Sequence, residues 1–401
     1  MTYTPSKEIL QKYANVLVNF ALESGTGVKP KQTVFINAPE VAKPLLIELR
    51  NAVLRAGAYP IINFQPDLIA KEHFELASDD QLAFYAKSYY QGIVDQTDCM
   101  IFILGDVDPH ELESITPEKL MLRRKAMLPY FEARKEKEVQ GKYTWTLAIY
   151  GTQGLADEAK LSLEDYWNQI ISACYLNTPD PVARWKEAYK EVDRLKDKLT
   201  SMRIKTLHVQ APETDLTVGI GYDRKWLGGS GRNVPSFEVF ISPDWRVTNG
   251  TVYFSEPLYY MGTMIKDIRL EFKNGEVISS SASVGENYLK EMLELENSKR
   301  LGEFSLTDSR LSNITKFMAH TLFDENIGGE NGNMHLALGS CFKESYPGNA
   351  ANVSEDVWAE HGYNIKAGTH TDIITTTNRT VTATLEDGSD VVIYKDGQFT
   401  V

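Results

Sequence analysis

Apolar Ile9, Leu10, Tyr13, Val16, Leu17 and Phe20 recur every three or four positions, the period of one helix face, and predict an amphipathic helix over residues 6–24. The period then changes. QTVFINA (32–38) is an apolar run of strand length, a helix follows at about 39–56 and ends at Gly57, and YPIINF (59–64) is a second strand. Strand, helix, strand in that order predicts a parallel sheet with helices on its faces. The pattern continues with a helix at about 80–94, the strand CMIFILG (99–105), a helix opened by Thr116-Pro117-Glu118 and the strand YTWTLAIYG (143–151). Proline suits the first helical position, because its missing N–H would have no partner there. DPVARWKEAYKEVDRLKDKLTSM (180–202) predicts one long charged helix, with Asp180 as its cap and Pro181 at its first position.

Beyond residue 202 the runs become short and strand-like: IKTLHVQ, TDLTVGIG, SFEVFISP, GTVYFSEP, IRLEFKNGEVISSSA, RLGEFSL, MHLALG and DIITTT. The C-terminal TVTATLEDGSDVVIYKDGQFTV repeats this texture. Asn274-Gly275, Asp387-Gly388 and Asp396-Gly397 predict tight hairpin turns. The expected organisation is therefore an N-terminal α/β domain over 1–202, ending in a long helix, and an α+β, strand-rich C-terminal domain over 203–401. A chain of 401 residues is long enough for two cores.

Composition narrows the function. The net charge of −13 argues against nucleic acid as a partner, since nucleic-acid binders carry basic surfaces. No apolar run approaches the length of a membrane span, and the N-terminal MTYTPSKEILQKY has no apolar signal region, so a cytoplasmic protein is expected. The 3 cysteines, Cys99, Cys174 and Cys341, lie far apart, which predicts neither a disulfide framework nor a cysteine-built zinc site.

Candidate chemistry lies where polar groups interrupt apolar strands of the second half. Glu238 sits inside Phe237–Ile241 and Glu303 inside Leu301–Leu306. His335 opens Leu336-Ala337-Leu338, and Glu330 stands five residues before it in the glycine-rich GENGN loop. His370 and Asp372 stand two apart in GTHTDII and so point the same way on a strand. An ionised carboxylate inside a strand is costly to bury unless it is paired or binds a metal. Taken singly, each residue has an ordinary reading: a lone strand glutamate usually faces solvent and a lone strand histidine is usually a satisfied core residue. Together they make a fitting donor set for two divalent cations. Oxygen ligands suit magnesium, and imidazoles add affinity for zinc, cobalt or manganese.

In order and spacing, SFEVFISP, RLGEFSL, LFDENIGGENGNMHLALG and GTHTDIIT resemble the signature segments of the aminopeptidase T/aminopeptidase S (PepS-like) metallo-aminopeptidases. The resemblance spans essentially the whole chain. It implies metal ligands at Glu238, Glu303, Glu330, His335, His370 and Asp372. Glu-Asn occurs twice before the histidine, at Glu325-Asn326 and Glu330-Asn331, and only Glu330 keeps the family's distance to His335; Glu325 is the alternative. The family's tyrosine, seven positions after this histidine, is replaced here by Phe342, and Tyr346 is the nearest candidate to take its role. The resemblance further implies release of N-terminal residues from short unblocked peptides by a water bridging two metals, in a homodimer, with Glu303 as bridging ligand and candidate catalytic residue and Glu325 as the other candidate for the general base. Competing readings are a ring-cleaving dioxygenase of the same structural family using one iron, and a metal-binding protein without turnover. A nucleotide-binding role has little support, because the first strand is followed by no glycine-rich phosphate motif.

Overall fold

The computed structural model describes residues 3–221, 223–260, 263–350 and 353–401. The chain divides into two units, residues 1–186 with 230–235, and residues 187–229 with 236–401. The division falls inside the helix Pro181–Ser201. Asp180 caps that helix as its sequence predicts, accepting a hydrogen bond from the Ala183 N–H at 3.0 Å.

The first unit is α/β. Its four parallel strands run in the order Tyr59–Gln65, Thr33–Pro39, Cys99–Leu104, Thr144–Ile149. Val34, Ile36 and Ala38 on one face of the central strand are fully buried and Phe35 on the other is buried too, as a strand covered on both faces requires. The edge strand differs: Tyr59, Ile61, Ile62 and Phe64 are exposed. The opening helix is shorter than its pattern implies. Ser6 caps Lys7–Val16, after which the chain widens into a π-turn, Leu17–Ala21. The single helix expected at about 80–94 is two, Asp79–Ala83 and Lys87–Gln96. A capping box between Ser78 and Gln81 starts the first, and the backbone turns extended at Phe84 with no glycine or proline to signal the break. The helix Ala70–Leu76 buries none of its residues, so it lacks the apolar stripe that would have announced it.

The second unit is α+β and strand-rich. One sheet has eight strands, all antiparallel neighbours, in the order Glu276–Ser281, Ile268–Lys273, Asp244–Phe254, Thr214–Gly219, Ile204–Ala211, Thr380–Leu385, Asp390–Lys395, Gln398–Phe399. Asn274 and Gly275 both take positive φ, which fits a two-residue hairpin whose twist matches its strands. A second antiparallel sheet of four strands runs in the order His370–Thr375, Asn333–Gly339, Leu301–Thr307, Glu238–Ile241. Alternation gives this sheet two unlike faces. Val239, Ile241, Phe304, Leu306, Leu336, Leu338 and Ile373 enter the hydrophobic core, together with Val192, Leu195 and Leu199 of the long helix. The other face carries the polar residues.

Candidate metal centre

Register decides which polar groups meet. Across the four-stranded sheet, Glu303 pairs with Ala337, which pairs with Asp372; Ser305 pairs with His335, which pairs with Ile374; Thr307 pairs with Glu238; and Gly339 pairs with His370. Directly opposed residues share a face. Glu238, Glu303, His335, His370 and Asp372 therefore emerge together, although they come from four strands spread over more than 130 residues.

The distances make two groups. The Glu238, Glu303 and His335 donor atoms lie within 4.8 Å of one another, and so do those of Glu303, His370 and Asp372. Glu303 belongs to both: Oε1 is 3.3 Å from His335 Nε2, and Oε2 is 3.2 Å from His370 Nε2. Glu238 Oε2 is 3.3 Å from His335 Nε2, and Ser236 Oγ donates to Glu238 Oε1 at 3.1 Å. Glu303 and His335 are buried, at 3% and 1% exposure, while His370 is the most open of the set. His370 Nδ1 lies 2.6 Å from the Ser340 carbonyl oxygen, which has only lone pairs, so Nδ1 must carry the proton. In the neutral ring this leaves the Nε2 lone pair facing Glu303 and Asp372, the orientation a metal ligand needs.

Among the described residues, no lysine or arginine forms an ion pair with Glu238, Glu303, Glu325 or Asp372. Burial pushes the Glu238 carboxyl up, against the pull of His335. Burial alone would lower His335, but the hydrogen bonds and charges of Glu238 and Glu303 overcome it and hold the imidazole well above its ordinary range. His370 is likewise opposed by burial and raised well above its ordinary range by Asp372 and Glu303. Asp372 is lowered despite its burial, chiefly by the His370 charge. Asp372 Oδ1 remains buried with no hydrogen-bond donor. A cation fits this donor set, since it would replace the protons, engage that orphaned oxygen and leave the imidazoles neutral.

Glu330 is not brought to this cluster. It lies exposed in the loop beside Gly329. Glu325 is buried at 6% exposure, and its carboxyl is pushed well above its ordinary range, first by burial and then by the charges of Glu238 and Asp372. The reason is a loop that folds back on itself. Asn333 Nδ2 donates to the Glu325 and Ile327 carbonyl oxygens at 2.8 and 2.9 Å, which closes the base and sends Gly329 and Glu330 outward. Gly332 holds φ +57, and a Cβ there would strike the Tyr394 hydroxyl. Spacing counted along the chain favoured Glu330, whereas the buried member of the two Glu-Asn pairs is Glu325. Asn326, noted in the sequence only as part of a Glu-Asn pair, pins that buried pair to the segment that enters the Glu238 strand: its Oδ1 accepts from the Phe237 N–H at 2.6 Å and its Nδ2 donates to the Leu322 carbonyl at 3.2 Å.

Phe342 stands at the cluster. Its ring meets His370 edge-on with centroids 5.0 Å apart, and Phe240 at 5.2 Å. The ring contacts of Tyr346 are elsewhere, with Trp358 at 5.3 Å, His361 and Tyr363. No helix among the described residues is long and apolar enough to cross a membrane.

Comparison with known proteins bears on what such a face does. The family model described as Thermophilic metalloprotease (M29) matches residues 6–399. Aminopeptidase PepS of Streptococcus thermophilus is 30% identical over 423 residues, covering 98% of this chain and 98% of PepS. Aminopeptidase T of Thermus aquaticus is 27% identical over 411 residues, covering 96% of this chain and 98% of its own length. The solved structure titled wild-type AmpT from Thermus thermophilus superposes with a TM-score of 0.85 at 24% identity, covering 98% of this chain and 100% of that one, a likeness of fold.

Proposed function

We reason from one premise: this chain belongs to the thermophilic metalloprotease (M29) family and is a metallo-aminopeptidase. We propose that it releases N-terminal residues from short unblocked peptides, using two divalent cations (zinc, cobalt, manganese or magnesium) held by Glu238, Glu303, Glu325, His335, His370 and Asp372 of a catalytic domain over 203–401. The observation that carries this reading is the pair of three-residue groups sharing Glu303. Charge supports the count: four carboxylates carry −4, which two divalent cations balance while both imidazoles stay neutral. Glu325 takes the place first expected of Glu330.

Bound there, the cations would supply Lewis acidity, acidifying a bridging water and polarising the scissile carbonyl. The side chains do the rest. Glu303, in both groups, would hold the two cations together, and a carboxylate of this face not engaged by both cations would take the proton of the attacking water and hand it to the leaving amine. His370 is kept in one orientation by the Ser340 carbonyl. The carboxylates of this face bind the free N-terminal ammonium of the peptide, an attraction that an acetyl cap abolishes. Phe342 offers no hydroxyl beside His370, and the ring contacts of Tyr346 lie away from the cluster, so we assign neither a hydrogen bond to the reacting carbonyl. A single-iron dioxygenase would need about three protein ligands, and six convergent donors do not favour it.

We also propose a homodimer. The edge strand Tyr59–Gln65 exposes four large apolar side chains together with an unpaired backbone edge, and such edges are normally covered. A cytoplasmic location agrees with three unpaired cysteines. The activity is tested by stripping the protein with chelator, restoring each metal and assaying one short peptide in free and N-acetylated forms. Metal-restored release of the first residue from the free form alone is expected. Cleavage of both forms, or of neither, overturns the proposal.

A further inference from the structure

A small cavity of about 10 Å³ is lined by Asp372 and Ile374 together with His320, Asp324 and Leu258. His320 occupies the cap position of the one-turn helix Thr321–Asp324, and its Nδ1 accepts the Leu322 N–H at 3.2 Å. A backbone N–H only donates, so Nδ1 must carry a lone pair and the ring's one proton resides on Nε2. The ring is uncharged at neutral pH, since burial pushes its pKa down to about 4. Asp324 fixes the segment, with its two carboxylate oxygens accepting the N–H groups of Met318 at 2.6 Å and His320 at 2.8 Å. Histidine is an unusual choice for a cap, a task that serine, aspartate or asparagine perform without an aromatic ring. Here one nitrogen serves the fold. The other, an N–H donor, has no protein partner among the described residues, and the residue lines a cavity that Asp372 lines too.

We propose that His320 touches the substrate: its Nε2–H donates a hydrogen bond to a backbone oxygen of the bound peptide, and does so most strongly when the scissile carbonyl becomes tetrahedral. This rests on the aminopeptidase reading and adds a residue to it. A neutral imidazole of fixed tautomer suits the task, because it donates without losing its proton and brings no second charge beside the cations. It also places a donor in a site where Phe342 has no hydroxyl to offer.

The test separates donor from cap. In His320→Asn, the amide oxygen still accepts from Leu322, so the cap survives, while the donor at the Nε2 position is lost. Metal-loaded wild type and variant are compared for kcat, KM, metal content and affinity for a phosphinic dipeptide that mimics the tetrahedral intermediate. The expected result is a fall in kcat of about 10²-fold, as for loss of an oxyanion donor, with KM and metal content nearly unchanged. Affinity for the phosphinate should weaken by a similar factor. A variant with wild-type kcat, or with unchanged phosphinate affinity, overturns the proposal. Should wild type cleave no peptide, the aminopeptidase reading falls, and phosphinate binding by the two proteins still decides whether His320 reaches a ligand.

Discussion

Replacing Glu325 by glutamine removes one negative charge from a side chain that is 6% exposed, while keeping its length and shape. If that carboxylate faces a cation, the loss is set by Coulomb's law in a partly screened site. A unit charge and a divalent cation about 4 Å apart at an effective dielectric of about 20 interact by about 8 kcal/mol, an upper bound of about six decades of affinity. The amide oxygen still offers a lone pair, so the expected loss of metal affinity is about 10²- to 10³-fold. The exposed Glu330 serves as the control. In water the same pair is worth about 2 kcal/mol, so Glu330→Gln should cost at most about thirtyfold. Competition with a chromophoric chelator measures both. Stability supplies a second, sign-reversed readout. Burial raises the Glu325 carboxyl, so the folded, metal-free chain holds that proton more tightly than the unfolded chain does. Metal-free wild type therefore loses stability as pH climbs from the unfolded carboxylate range toward the folded one, and Glu325→Gln removes its share of that loss. Chelator-treated Glu325→Gln should melt at or above wild type, and the metal-loaded variant below it. Strong loss of metal in Glu330→Gln with little in Glu325→Gln would refute the reasoning.

Three further outcomes are expected. Phe342→Tyr sets a hydroxyl on the ring that already stands edge-on to His370; kcat on a short free peptide should rise, by about tenfold if part of an oxyanion donor's worth is gained, whereas Tyr346→Phe should leave it unchanged. Asn326→Ala strands the buried Phe237 N–H and Leu322 carbonyl, and urea unfolding should show a loss of about 2–6 kcal/mol, at about 1–3 kcal/mol for each unsatisfied group. Because His335 and Glu325 hold their protons above the ordinary range without metal, cations must displace them; metal affinity should fall as pH is lowered, and titration calorimetry in two buffers of different ionisation heat should reveal proton release on binding.

Much of this was legible in one dimension. The parallel sheet of the first unit followed from apolar runs separated by helix-period segments, and the hairpins of the second from Asn-Gly and Asp-Gly pairs, because those signals are local. Glu238, Glu303, His335, His370 and Asp372 stood out because a charge in a strand breaks alternation wherever the strand lies. What the pattern could not convey was depth and direction in loops. Glu325 and Glu330 both precede His335 in near-identical Glu-Asn pairs, and only the folding-back of the loop, fastened by Asn333, decides which is buried. His320 carried no signal and Asn326 only that of its Glu-Asn pair, since each acts by accepting from a backbone N–H rather than by breaking a hydrophobic pattern. The break at Phe84 was silent for a related reason: no residue there forbids a helix.

The central claim is that two cations sit on this sheet face and share Glu303. Anomalous diffraction from crystals grown with cobalt tests it directly. The account predicts two peaks, one beside Glu238, Glu303 and His335 and the other beside Glu303, His370 and Asp372. A single peak, or two peaks neither of which contacts Glu303, would contradict it.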